Sequence, residues 1–135
     1  MRVLIAEDEL GCRLVLQRYL HDVGHTDVAV NGLEAVESFR LALATGEPYD
    51  LVLLDIEMPE MDGQEALKAM RQVENDFAVG KEGEARIFII TAHADQRNVC
   101  DAFFKGGATG YLVKPVERRV LLSTLGMEGA DRQTP

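Results

Sequence analysis

The chain has no tryptophan, two cysteines, four prolines and only 6% aromatic residues in 135. The cysteines, Cys12 and Cys100, have no metal-ligand spacing, which excludes a disulfide framework and a zinc site. Both are read as small buried hydrophobes. Basic residues are scarce, 14 Lys and Arg against 23 Asp and Glu, and the formal net charge is -9. Such a surface repels phosphate backbones and anionic headgroups, so neither nucleic acid nor a membrane is expected as a partner. No apolar run approaches the roughly 20 residues that span a bilayer. The opening MRVLIAEDE turns acidic before a signal-peptide core forms, and the expected location is the cytoplasm. What is present is 47% hydrophobic residues, enough for a core, in a length suited to one domain.

Short apolar runs at 3–6, 28–30, 51–54, 87–90 and 111–113 read as strands. Most are continuous and rich in Val, Ile and Leu, the pattern of parallel strands covered on both faces. Segments of helical period separate them. Cys12, Val15, Leu16, Tyr19, Leu20 and Val23 form one stripe on a first helix ending near Gly24. A second helix opens after Asn31 and buries Ala35, Val36, Phe39 and Leu43; a third runs from about Gly63 through Leu67 and Met70. A fourth, capped by Asp95, carries Val99, Ala102 and Phe103, with Phe104 on its outer face; a fifth begins near Glu117 with Leu121, Leu122 and Leu125. Five strand–helix alternations predict a parallel sheet with right-handed crossovers, a three-layer α/β sandwich. Residues 75–85 (NDFAVGKEGEA) read as a polar loop at the strands' N-terminal edge. Residues 127–135 read as a polar tail or linker stub beyond a domain of residues 1–126. His21 and His25 read as surface residues.

In open α/β sheets, ligands sit outside the carboxyl ends of the strands. Strand one is followed there by Glu7 and Asp8, strand three ends at Asp55, strand four at Thr91, and strand five leads to Lys114. Each alone fits a solvated turn or surface charge. Together they do not, because carboxylates within about 5 Å repel by roughly 3 kcal/mol per pair at an effective dielectric of 20. A divalent cation removes that cost. The all-oxygen set of Asp8, Asp55 and a backbone carbonyl suits magnesium, with manganese as the alternative ion, and the lack of His or Cys argues against zinc or copper. An Asp beside such a cation, with a lysine and a hydroxyl nearby, is equipment for phosphoryl transfer to a carboxylate. Asp55 is the natural nucleophile, with Lys114 and Thr91 positioned to meet phosphoryl oxygens.

Glu7-Asp8, LVLLDIEMPEMDG around Asp55, ITA at 90–92 and GATGYLVKP at 107–115 together resemble the receiver domain of two-component response regulators, including chemotaxis regulators. The resemblance covers about residues 1–125. It implies a flavodoxin-like fold of strand order 2-1-3-4-5 with five helices, accepting a phosphoryl group on Asp55 from a histidine kinase or a phosphotransfer protein. It implies magnesium on Asp8, Asp55 and the backbone carbonyl of Glu57, with Glu7 helping through water. Thr91 and Tyr111 match the family's switch pair: Thr91 moves toward the phosphoryl group and Tyr111 rotates inward, remodelling the face of helix four, strand five and helix five for a downstream target protein. Lys114-Pro115 matches the family's lysine and cis-proline. Glu57 and His93, two residues past Asp55 and Thr91, are candidates for tuning phosphoryl lifetime, with plain solvated side chains as the competing reading. The expected assembly is a monomer or a weak phosphorylation-dependent dimer.

Several rivals remain. A haloacid-dehalogenase-like phosphatase also uses Asp, magnesium, Thr and Lys, but its nucleophile follows the first strand in a DxD motif, where this chain has Glu7-Asp8-Glu9. An FMN carrier of flavodoxin type needs a hydroxyl- and glycine-rich loop there, and an acidic turn repels the FMN phosphate. The expected role is therefore a signalling switch that catalyses only its own phosphorylation and dephosphorylation. A relay shuttle, a receiver fragment of a larger regulator and a non-phosphorylated scaffold are the other outcomes.

Overall fold

Strands that are apolar along their whole length must be covered on both sides, and the computed structural model of the protein, which describes residues 1–92 and 107–127, is built that way. In chain order the elements are β1 (Arg2–Ala6), α1 (Leu10–Leu20), β2 (His25–Ala29), α2 (Gly32–Ala44), β3 (Leu51–Asp55), α3 (Gly63–Asp76), a 3-10 turn (Lys81–Gly83), β4 (Arg86–Thr91), β5 (Gly110–Val113) and a C-terminal helix, α4 (Arg118–Thr124). The sheet order is β2-β1-β3-β4-β5, with every pairing parallel. This is the expected flavodoxin-like order. The four α-helices named here are those among the described residues. The helix read from Asp95, with Cys100, Phe103 and Phe104, lies outside them, as do His93 and residues 128–135.

Alternate residues of each strand point to opposite faces, and this sorts the core into two layers. Leu4, Ala6, Val52, Leu54, Ile87 and Ile89 pack with Val36 and Phe39 of α2 and Leu67 and Met70 of α3. Val3, Ile5, Leu51, Leu53, Phe88 and Ile90 pack with Leu16 and Leu20 of α1 and Leu121 of α4. The helices start where their sequences provide caps. Asn31 accepts the Glu34 N–H at 2.7 Å, and Asp62 accepts the Glu65 N–H at 2.9 Å, each satisfying a donor that a helix end leaves open.

Element boundaries depart from expectation where polar residues are structural. β2 begins at His25, not Val28, and ends at Ala29. As the sheet's edge strand it carries Thr26 and Asp27 half-buried, so its sequence is not a continuous apolar run. Helix α1 stops at Leu20, short of Gly24. Helix α3 continues to Asp76, because Val73 and the acidic Glu74 are both buried. Residues 75 and 76 therefore belong to helix, and the connection to β4 is shorter than the sequence suggested. In α2 it is Ala42 that is buried, with Leu43 half-buried. Met127 packs against the second core layer, so the domain's packing reaches one residue beyond 126.

Candidate functional site

Parallel strands end together, and here their C-terminal ends gather the chemistry. Asp55 is the last residue of β3 and 3% exposed; Thr91 is the last of β4 and 2% exposed. Glu7, just past β1, is fully buried, whereas Asp8 beside it is exposed. Lys114 follows β5. Carboxylate oxygens of Glu7, Asp8 and Asp55 all lie within 4.8 Å of one another. Lys114 Nζ stands 2.8 Å from Glu7 Oε1 and 3.2 Å from Asp55 Oδ2. On the other side the Glu57 backbone N–H donates to Asp55 Oδ1 at 3.1 Å. Asp55 is thus held at both oxygens. The Lys114–Pro115 peptide is cis, and the Lys114 N–H donates to the Thr91 carbonyl at 2.7 Å, tying the ends of β4 and β5. Tyr111 sits on β5 and is 40% exposed.

The loop after β3 is fixed by close backbone packing. A Cβ on Gly63 would come 2.6 Å from the Asp55 carbonyl and 2.7 Å from Ile56 Cα, so only glycine lets α3 start against the end of β3. The Gly63 N–H donates to the Ile56 carbonyl at 3.0 Å. Glu60, in the same loop, has φ of 71°, a region uncommon for residues other than glycine.

Charge is unevenly balanced here, three carboxylates against one ammonium. The Glu7 carboxyl is raised above the ordinary range, first by burial and then by neighbouring Asp55, with Lys114 opposing. Burial alone would lower Lys114, but the Glu7 and Asp55 carboxylates outweigh it and hold the ammonium above the usual lysine range. The clustered donors are hard oxygens, and two formal negative charges remain after Lys114 is counted; this fits a divalent cation of magnesium type.

One sequence expectation needs revision. Cys12 is half-buried rather than in the core: it lines a cleft of about 600 Å3 between α1 and the Pro115-Val116 segment, with Val15 and Tyr19. Because that cleft is open, Val15 is 44% exposed despite its place on the apolar stripe. Burial pushes the Cys12 thiol up, away from reactivity. His25 is exposed, as expected, and pairs with Asp27 Oδ1 at 3.0 Å. The sequence reading also overlooked Arg13, whose Nη1 donates to the Glu7 carbonyl at 3.0 Å. The spacing of six from Glu7 gives no periodic signal for it.

Comparison with known proteins places this arrangement. Residues 3–126 match the family model described as response regulator receiver domain. The chain is 34% identical over 126 residues to chemotaxis protein CheY of Bacillus subtilis, covering 92% of this chain and 93% of that protein. It is 36% identical over 122 residues to sensor histidine kinase GacS of Pseudomonas protegens, covering 89% of this chain but only 12% of the kinase. Among solved structures it resembles that of the Saccharomyces cerevisiae histidine phosphotransfer signaling protein Ypd1 with the receiver domain of its response regulator Ssk1. That match has a TM-score of 0.78 and 26% identity, over 98% of this chain and 90% of the matched one. With the family model spanning nearly the whole sequence, the chain belongs to the response regulator receiver domains of two-component signalling.

Proposed function

We propose that the protein is a switch that accepts a phosphoryl group on Asp55. The observation that carries this reading is the setting of Asp55: nearly buried at the end of a central strand, held by Lys114 and the Glu57 N–H, and within 4.8 Å of Glu7 and Asp8. Those two contacts fix the carboxylate's orientation before any donor arrives, so little orientational freedom is lost on reaction. Transfer from a phosphohistidine donor breaks its P–N bond and forms a P–O bond to the Asp55 carboxylate, the departing imidazole nitrogen taking its proton from solvent. Lys114 then stabilises charge on the transferred group, and the Thr91 hydroxyl donates to another of its oxygens. Asp8, Asp55 and the Glu57 carbonyl are the residues that would hold magnesium or manganese, with Glu7 acting through water; the cation would offset phosphoryl charge.

The donor is a histidine kinase or a phosphotransfer protein, a partner class supported by the Ypd1 complex and the kinase relatives. Thr91 and Tyr111 form the switch pair, and the face bearing β5 and the C-terminal helix is the output surface for a downstream protein. The chain is a regulator rather than a turnover enzyme. Residues 1–126 form the receiver, against which Met127 still packs, and the remaining residues to 135 are a polar tail. The match to a small part of a sensor kinase supports the second reading, a relay shuttle or a receiver belonging to a larger regulator.

Intact mass after incubation with magnesium and acetyl phosphate tests the proposal. The expected result is one hydroxylamine-labile phosphoryl group, missing in Asp55→Asn. Neither adduct nor magnesium binding would overturn it and leave a scaffold. Glu57 and His93 are proposed to tune phosphoryl lifetime. Glu57→Ala and His93→Ala should each change the hydrolysis rate of phosphorylated protein at least severalfold, and unchanged rates would remove both from that role.

A further inference from the structure

We infer that Arg13 is a positioning residue for the acidic turn: it clamps the backbone of Glu7 and Asp8 so that the Asp8 carboxylate is held toward Asp55. The inference rests on the proposed phosphoryl-acceptor function and adds a residue to it.

Helix α1 lacks the device that fixes the starts of α2 and α3. Its N-cap residue, Glu9, makes no side-chain capping bond, whereas Asn31 and Asp62 do. The turn ahead of α1 is held by other means. The Glu7 N–H donates to the Ala29 carbonyl at 3.0 Å, and the Glu9 N–H to Glu7 Oε2 at 3.2 Å. Arg13 closes the turn from the helix side: its own N–H begins the helix on the Glu9 carbonyl, and its guanidinium folds back over that first turn. Nη1 lies 3.0 Å from the Glu7 carbonyl and 3.5 Å from the Asp8 carbonyl.

The choice of acceptors matters. Glu7, Asp8 and Glu9 all belong to this stretch of chain, yet among the described residues Arg13 forms no ion pair with them or with Asp55. It grips carbonyls and leaves the carboxylates available to a cation. Asp8 depends on that grip more than its neighbours. Glu7 is buried and paired with Lys114, and Asp55 is held at both oxygens, but the exposed Asp8 carboxylate makes no hydrogen bond among the described residues. Its direction is set by its backbone.

A purely electrostatic role for Arg13 predicts the opposite sign. Removing a positive charge beside a cation site strengthens cation binding, whereas loosening a preorganised turn weakens it. Calorimetric titration of the metal-free protein with MgCl2 at low ionic strength, comparing the native chain with Arg13→Gln and Arg13→Lys, separates the two. We expect Arg13→Gln to bind magnesium about tenfold more weakly, the size of one lost charge-assisted hydrogen bond. Arg13→Lys, which keeps the charge without the planar fork, should be weakened too. Hydrogen exchange in metal-free protein should quicken at the Glu9 amide in both variants and stay unchanged in α2. Phosphorylation by acetyl phosphate should recover at saturating magnesium. Equal or tighter magnesium binding by Arg13→Gln would overturn the inference while leaving the acceptor function intact. If Arg13→Gln fails to fold, Arg13→Lys with native affinity and native exchange at Glu9 does the same. A native chain that binds no magnesium would overturn the reading of the site itself.

Discussion

Asp27 shows how a single polar residue can organise the β2 edge of the sheet. Its carboxylate accepts the Tyr49 hydroxyl at 2.6 Å, Arg2 Nη2 at 3.2 Å and His25 at 3.0 Å, while the Arg2 guanidinium lies 4.7 Å over the Tyr49 ring. Burial alone would raise the Asp27 carboxyl, but Tyr49, His25 and Arg2 outweigh it and hold it below the ordinary 3.8. The native chain therefore binds this proton more weakly than the unfolded chain. Stability from Asp27 is present above the unfolded value and is lost as pH falls through the lower native one. Asp27→Asn should flatten the fall of the urea midpoint between about pH 5 and about pH 2; a mutant curve as steep as the native one would remove Asp27 as a source of acid sensitivity. Residues of this kind were hardest to find in the sequence. Asp55, Thr91 and Lys114 were legible because each ends or follows an apolar run. Asp27, Arg13 and Glu74 were not, since a charged residue whose partner is distant in sequence looks like any solvated one.

At the scale of elements, legibility followed burial. β1, β3, β4 and β5 were visible as short apolar runs within a residue or so of their ends, while β2, half-buried at the sheet's edge, was displaced by three residues at its start. Helix α3 was cut short for a related reason: the polar residues from Asn75 onward suggest a loop, yet the buried Glu74 side chain just before them is an internal brace. Arg71 Nη1 meets Glu74 Oε1 at 2.6 Å and the Ala85 carbonyl at 2.9 Å, Arg71 Nε donates to the Gly107 carbonyl at 2.9 Å, and the Ala85 N–H donates to Glu74 Oε2 at 2.8 Å. One ion pair on α3 thereby holds the entry to β4 and the approach to β5. Removing one partner of a buried pair leaves the other uncompensated, so Glu74→Ala should cost about 3 kcal/mol in urea unfolding. A loss below about 0.5 kcal/mol, the size of an exposed pair, would show that water substitutes for the brace.

The whole molecule is polarised. One edge of the sheet holds Asp55, Lys114 and the acidic Glu7 and Asp8; the connection from α3 to β4, with its 3-10 turn, returns along the other. No helix among the described residues is long and apolar enough to cross a membrane. The fold class was readable because a doubly covered parallel sheet admits few arrangements, and the strand order came with the resemblance to the receiver family, whereas the open cleft beside Cys12 depends on how α1 and the Pro115 segment meet, which no local pattern encodes. The Arg71–Glu74 brace has a further consequence for chain length. Because it grips Ala85 directly, the entry to β4 is held downstream of the 3-10 turn, and residues 80–83 are exposed. A peptide spliced in after Gly83 adds loop-closure entropy that grows slowly, about 0.6 kcal/mol per doubling of length. A dozen inserted residues should therefore lower stability by about 1 kcal/mol and leave the proposed phosphorylation of Asp55 unchanged, which makes this turn the place to attach a reporter without disturbing the site.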